Sequence, residues 1–572
     1  MIKFLNSYGE YFCKFLKVDG WLFCLLVILN LPPLFQTYVL FGTEEFNQLF
    51  LDEFEAFYFG AVIILIFCLL IHFGLKNFPR AKFALQIFIL ISFVISFVVE
   101  MFIIYTFKDK LILHFVEVAV ATNFNEAKEF FQVYVFKTEI FFGLLAFGLI
   151  IFTAVKKIRQ LFQNLSDERL KKLSYHTLII FFPAFLSAVY CIGNFLFNVT
   201  CNTTTLARNL RSVYIATIAA SSEDEIFAEM DSQNEKIISN NSKIPYVVLV
   251  LGESATRNHM QIYGYNLKNT PLAVKRYERG ELFKFNDVIS CANGTSIAMK
   301  QIFNFAEKED ELENWYKTPN IFDIVNRAGY NTAWISNQSI VGWMGNIDKI
   351  YSERCNEKYF SEMTDNKNKE IWTRDFDGVL LPVIDDFISH SQEKNFYCVH
   401  LYGSHQYYRD RYPAEFEKFT ADDENKSTDE MKKITAEYDN SILYTDFILD
   451  EIFKRFEDKN ALVIYFSDHG QEIYENDNNF AGPTPEENGS RSMIEIPFII
   501  WTSKSFREMY PEKVAALKNS ADNPYRTDFL IHTILDLMDI QTENFDATKS
   551  IVNEKFDKFR LRIYNNKPYI RG

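Results

Sequence analysis

Three short stretches place carboxylates and imidazoles directly after apolar runs, the arrangement from which metal-assisted chemistry is built in an α/β protein. Residues 246–251 run into Gly252-Glu253-Ser254, residues 396–401 into Tyr402-Gly403-Ser404-His405, and residues 462–466 into Ser467-Asp468-His469-Gly470. Two carboxylates and two imidazoles suit zinc or a similar divalent ion. Each stretch also has a purely structural reading. Asp468-His469-Gly470 reads as a turn with a capping Asp, Glu253 as a helix N-terminal charge, and His405 as a surface-loop histidine. Their joint occurrence at strand ends of one domain is what points to a site. A hydroxyl is available in Ser290-Cys291-Ala292-Asn293-Gly294-Thr295-Ser296, just ahead of residues 297–306, whose apolar positions have helical spacing. Thr295 or Ser296 could be merely the N-cap of that helix. The same geometry sets a hydroxyl against free N–H groups and the positive end of the helix dipole, which stabilise an alkoxide and an incoming phosphate. A divalent cation beside it would lower its pKa further.

The elements that must position these groups follow from the apolar pattern. Near-continuous apolar strands at 246–251, 332–335, 396–401, 462–466 and 497–501 alternate with helical stretches such as 321–328 and 438–456. This predicts an α/β/α domain over 244–572 with a mostly parallel central sheet, whose ligands bind at the carboxyl ends of the strands. Residues 199–243 are polar and rich in Asn, Ser and Thr, and read as a linker with one or two surface helices.

Residues 1–198 are of another kind. Five apolar segments, 21–41, 57–73, 83–107, 135–155 and 178–197, approach or exceed the ~20 residues that cross a bilayer. Pro32-Pro33 is expected to kink the first rather than stop it. Lys76, Arg80 and Lys82, and the basic run Lys156 to Lys172, lie in loops predicted to be cytoplasmic, whereas the loop holding Glu44, Glu45, Asp52, Glu53 and Glu55 has no cation. An odd number of spans then places the catalytic half outside the cytoplasm. Residues 108–131 are too polar to cross and read as interfacial helices on the external face. Glu100 is a candidate for contact with lipid headgroups. The net charge of -15 argues against nucleic acid as a partner. None of the eight Cys forms a C-x-x-C pair, so no structural zinc cluster is expected. Cys201, Cys291, Cys355 and Cys398 could form disulfides in an exported domain.

Taken together, Val250-Leu251-Gly252-Glu253-Ser254-Ala255-Thr256-Arg257, the 291–295 segment, Gly403-Ser404-His405 and Ser467-Asp468-His469-Gly470 resemble the phosphoethanolamine transferases of Gram-negative bacteria. Those enzymes join a multi-span inner-membrane half to a periplasmic, sulfatase-like catalytic domain. The resemblance implies transfer of phosphoethanolamine from phosphatidylethanolamine to a lipopolysaccharide or lipooligosaccharide acceptor, core heptose or lipid A phosphate. It implies Glu253, Thr295, Asp468 and His469 as ligands of a catalytic Zn2+, Thr295 as nucleophile, and His405 as proton carrier or second-metal ligand. Asn337 matches a position that contacts the substrate phosphate. Asn123 and Glu126, within Ala121-Thr122-Asn123-Phe124-Asn125-Glu126-Ala127, match a loop motif implicated in substrate binding. Two departures stand out: Gln301 lies where lipid A enzymes carry a second Cys, and Ser492 where a downstream histidine is expected. The stretches 300–306 and 334–338 look closer to the branch acting on core heptose. The alternatives within the superfamily are a phosphoglycerol transferase and a phosphohydrolase; outside it, a non-catalytic membrane scaffold or sensor.

Overall fold

The computed structural model describes residues 2–32, 34–35, 46–107, 111, 116, 131, 138–177, 204–220, 223–310, 312–338, 347–361, 375–475, 481–482, 490–564 and 567–571. Two compact units result, one drawn from residues 1–219 and the other chiefly from residues 220–572. The stretch read as a linker is therefore divided between them. Helix Thr205–Ala220 falls almost wholly in the first. Helix Glu223–Ser232 and strand Ile237–Asn240 belong to the second, where that strand pairs antiparallel with Ile540–Thr542 and Met230 enters the core.

In the first unit, Ala56–Gly74 and Pro79–Tyr105 are, among the described residues, the two helices long and apolar enough to cross a membrane. Their outward side chains are apolar: Leu70, Phe83 and Phe88 are 64%, 63% and 68% exposed. Such a surface is stable against lipid and costly against water. Helix Thr138–Asn164 also turns Phe142, Leu149 and Phe152 outward, but continues into the basic run at Lys156. The first expected span begins within helix Ile2–Ile28, which closes in a turn at Leu29 and Asn30. Pro32, Leu34 and Phe35 are helical again, with Leu34 N donating to the Leu31 carbonyl at 3.0 Å, and residues 36–41 lie outside the described residues. Pro32 and Pro33 lack the N–H groups to continue the ladder and disfavour helical backbone just before them. Asn30 is used otherwise: its Oδ1 accepts from Thr205 N at 2.8 Å and Thr205 Oγ1 at 3.2 Å. Glu100 does not face headgroups. It is fully buried, paired with Arg208 of helix Thr205–Ala220. The expected fifth span and nearly all of 108–131, with Asn123 and Glu126, lie outside the described residues.

The second unit is built on a seven-stranded sheet. Its strands in chain order are β1 Tyr246–Gly252, β2 Leu282–Lys284, β3 Asn331–Ser336, β4 Glu357–Phe360, β5 Asn395–His400, β6 Ala461–Ser467 and β7 Phe498–Thr502. Across the sheet they run β2-β7-β6-β1-β5-β3-β4. The contiguous five from β6 to β4 are parallel, but β7 is antiparallel to both β6 and β2. The sheet is thus mixed, with the reversed strand near one edge. A reversed strand buried on both faces has the same continuous apolar sequence as a parallel one, so composition could not reveal its direction. Alternate residues of β1 serve opposite faces. Val247, Leu249 and Leu251 join one core with Leu462, Ile464 and Phe466, while Val248 and Val250 join the other with Val463 and Tyr465. Helices cover both faces, Thr295–Ile302 and Leu530–Leu537 on the first and the long Asp429–Phe456 on the second. The long helix has Thr428 as a side-chain N-cap, acids in its first turn and Lys454 and Arg455 in its last, matching the dipole.

Candidate functional site

Parallel register brings the strand ends level. Gly252 of β1 lies opposite Ser467 of β6, Leu251 opposite His400 of β5, and Ser336 of β3 opposite His400. The residue after each of three strands therefore opens on the same sheet edge: Glu253, Asp468 and Asn337. Glu253, Asp468 and His469 are all buried, and one ligand atom of each lies within 4.8 Å of the others. Thr295 opens helix Thr295–Ile302, and the N-cap is the extended Gly294. The capping reading of Thr295 is thus ruled out; its hydroxyl faces the cluster instead. Thr295 Oγ1 donates to Glu253 Oε2 at 2.9 Å and lies 3.4 Å from His469 Nε2. Thr295 is only half-buried, so its oxygen remains reachable while the groups beside it are not.

The charges are strongly interdependent. Burial alone would raise the Glu253 carboxyl, but the hydrogen bond and charge of His469, helped by His405 and Ser254, hold it well below the usual range. Burial and the charge of Glu253 push Asp468 up to about 7. Burial opposes protonation of His469, yet the charges of Asp468 and Glu253 and a hydrogen bond to Glu253 push it up to about 9. A proton on the imidazole thus fills the place a cation would take between two buried carboxylates. The residues fit a metal ion. Asp468 Oδ2 is buried without a hydrogen-bond partner. His469 Nδ1 lies 2.7 Å from the Gly470 carbonyl, a bond that leaves Nε2 as the free ring nitrogen once the ring is neutral. Two carboxylates, one imidazole and one hydroxyl form a four-donor set that zinc accepts.

A sulfatase family model matches residues 245–540, just over half of the chain. The chain belongs to the sulfatase family. In sequence it is 30% identical over 331 residues to the phosphoethanolamine transferase EptC of Escherichia coli K12, a match covering 56% of this chain and 55% of EptC. The chain thus spans about half the length of the relatives it matches. Among solved structures, the C-terminal periplasmic domain of Escherichia coli EptC in complex with Zn superposes with a TM-score of 0.52 at 28% identity, covering 58% of this chain and 94% of that domain. The integral membrane lipooligosaccharide phosphoethanolamine transferase A of Neisseria meningitidis matches 92% of this chain and 98% of its own, with a TM-score of 0.60. At 20% identity that likeness is one of fold.

Around this sulfatase-type edge the structure shows how the residues read from sequence are held, and adds Asp377 and His400, which no motif singled out. Ser254 holds a left-handed φ of 58° and donates from Oγ to Glu253 Oε1 at 2.7 Å, while its carbonyl accepts from Tyr438 of the long helix at 2.9 Å. Asp377 accepts from the backbone N–H groups of Tyr402 and Gly403 at 2.7 and 2.9 Å, fixing the turn that carries His405. His400, at the end of β5, is buried against Asp348 behind the cluster. His405 is half-buried, stacked on Tyr402, and its Nδ1 has no hydrogen-bond partner. Asn337, expected at the substrate phosphate, lies at the same edge and is held by protein partners. Its amide donates to Asp375 O and Asp377 Oδ1 at 2.9 and 2.8 Å and accepts from Ser361 at 2.7 Å, so it braces the Asp377 turn. Ser492 is buried, contacts Glu475, and lies 3.3 Å from Asn258 Nδ2. Cys291, Cys355 and Cys398 are free thiols, so no disulfide joins them, and Cys201 lies outside the described residues.

Two glycines are required by contact. A Cβ on Gly470 would meet the Ser492 carbonyl oxygen at 2.0 Å. One on Gly403, whose φ is +54°, would lie 2.8 Å from the Glu253 carbonyl oxygen. Gly403→Ala is expected to destabilise the domain by about 1–3 kcal/mol and to lower kcat more than it raises KM, because it displaces the His405 turn. Chemical denaturation and steady-state kinetics read the two effects separately; an unchanged kcat would contradict that placement of His405.

Proposed function

We propose that this chain is a phosphoethanolamine transferase that uses Thr295 to carry the group covalently between two substrates. The observation that carries this reading is the Thr295 hydroxyl, bonded to a buried carboxylate of a cation-fitting cluster and set at the start of a helix. EptC of Escherichia coli, named a phosphoethanolamine transferase, supports the activity. The complex of its domain with Zn supports zinc as the ion. Glu253, Asp468, His469 and Thr295 would hold that ion, which supplies Lewis-acid stabilisation of charge on oxygen.

In the first displacement Thr295 Oγ bonds to the phosphorus of phosphatidylethanolamine. The bond to the diacylglycerol oxygen breaks, and that oxygen leaves as an alcohol on taking a proton. That proton is the one Thr295 Oγ gives up, and His405, half-buried near Glu253, is assigned its passage. In the second, an oxygen of the lipopolysaccharide or lipooligosaccharide acceptor bonds to phosphorus, the phosphothreonine bond breaks, and the acceptor's proton passes to Thr295 Oγ, restoring the hydroxyl. Two steps at one site let donor and acceptor occupy it in turn. Free N–H groups in the first helical turn favour the phosphate oxygens. The resemblance of 300–306 and 334–338 to the heptose branch leans the acceptor toward core sugar. The apolar helices and the fold shared with an integral membrane relative support an inner-membrane anchor with the catalytic unit in the periplasm.

The full-length protein in lipid nanodiscs, supplied with acceptor, should release diacylglycerol from labelled phosphatidylethanolamine and not from phosphatidylglycerol. The opposite preference would make it a phosphoglycerol transferase. Free phosphoethanolamine as the main product would make it a hydrolase.

A further inference from the structure

Residues 554–571 differ in character from the rest of this acidic chain. Lys555, Lys558, Arg560, Arg562, Lys567 and Arg571 stand against only Glu554 and Asp557, within a protein of net charge -15. The segment is not a loose tail. Arg562 forms a two-pronged pair with Asp287 at 2.8 and 2.9 Å, Tyr569 N donates to the Arg562 carbonyl at 2.7 Å, and Ile563–Tyr564 pairs with Lys567–Pro568 as an antiparallel hairpin. With Phe556, Arg562, Tyr564 and Tyr569 turned inward, the large apolar side chains that remain point out. Phe559 is 97% exposed, Ile570 77% and Leu561 56%. They line one open cleft of about 410 Å³ together with Lys558, Arg560 and Arg571.

We propose that this cationic, apolar-tipped face docks on an anionic phospholipid surface. Exposing a phenyl ring and two branched aliphatic chains from a segment so firmly held is unfavourable in water, and becomes favourable when they enter the boundary between headgroups and acyl chains. The surrounding cations match the phosphates of that layer, each contributing about 1 kcal/mol near an anionic surface. Lys555, Lys558 and Arg571 are exposed, Arg571 lying 4.0 Å from Asp522, and they present their charge to solvent, whereas Arg560 is tied to Glu307 at 3.5 Å and lies over the Phe529 ring. The same chain carries helices apolar enough to enter a bilayer, so a lipid surface is at hand for every copy. The inference does not depend on which group is transferred.

The test uses the full-length protein in nanodiscs, with the photoreactive benzoylphenylalanine placed at position 559. Discs containing phosphatidylglycerol should give lipid adducts at that position, whereas the same probe at the exposed Tyr277 should give few. Lys558→Glu with Arg571→Glu, both surface changes, should cut the adducts by roughly five-fold or more per cation removed. Adduct yields at 559 no higher than at 277, yields equal in discs of phosphatidylcholine alone, or cross-links only to a second protein copy or only to added lipopolysaccharide would each overturn the proposal.

Discussion

Thr295→Ala is expected to lower transfer by roughly 10³-fold or more, about 4 kcal/mol in the barrier, while leaving the fold intact. The fold should tolerate it because the hydroxyl makes no structural bond that the helix needs. Gly294 supplies the N-cap position, Ala is a better helix former than Thr, and Glu253 keeps Ser254 and His469 as partners. Activity should go because no other hydroxyl is described within bonding distance of both Glu253 and His469. Ser296→Ala should keep most of its activity. If Thr295→Ala remains active and only Ser296→Ala is dead, the nucleophile moves by one residue; if both remain active, covalent transfer through this helix is wrong.

The second large effect concerns Asp468. Its Oδ2 is buried without a hydrogen-bond partner and is repelled by Glu253, a costly arrangement unless a cation completes it. Asp468→Asn should therefore weaken zinc binding by more than about 10²-fold without lowering the stability of the metal-free protein. In the wild type, zinc at 100 times its Kd should add about 2.7 kcal/mol to stability; at the same concentration the variant should gain much less. The pH dependence has a definite sign. Zinc must displace protons from Asp468, held up to about 7, and His469, held up to about 9, so affinity should rise with pH across that interval and fall below it. The variant should lose the Asp468 share of that slope. Calorimetric titration between pH 6 and pH 9 (roughly the interval those groups span) measures both effects, and equal zinc stabilisation of variant and wild type would count against a metal role for Asp468.

The parts legible in sequence and the parts that were not differ for physical reasons. Glu253, Asp468 and His469 could be read because they lie within two residues of the ends of strands buried on both faces, and parallel strands of that kind end at one edge. Thr295 was visible as a hydroxyl at a helix start, but sequence left capping and chemistry both open; the extended Gly294, which takes the N-cap position, removes the capping reading. Asp377 was invisible. It belongs to no motif, lies 25 residues before the turn it holds, and acts only through backbone N–H groups that any sequence possesses. Asn337 could be read from its place after a strand, but not that its amide braces the Asp377 turn. Pro32-Pro33 was recognised as a disturbance, and the helix is interrupted just before it; that Thr205, far along the chain, takes Asn30 of that turn as a partner could not be read. The direction of β7 was hidden for a similar reason, since burial on two faces erases the alternation that distinguishes strand environments.

Every functional step assigned to this chain passes through a covalent bond at one oxygen. The most direct measurement is mass spectrometry of the peptide spanning Thr295, taken from full-length protein quenched in the presence of phosphatidylethanolamine and no acceptor. A phosphoethanolamine adduct on Thr295, absent from Asp468→Asn and discharged when acceptor is added, is the expected result. An unmodified Thr295 under conditions where diacylglycerol is being released, or an adduct on another residue, would contradict it.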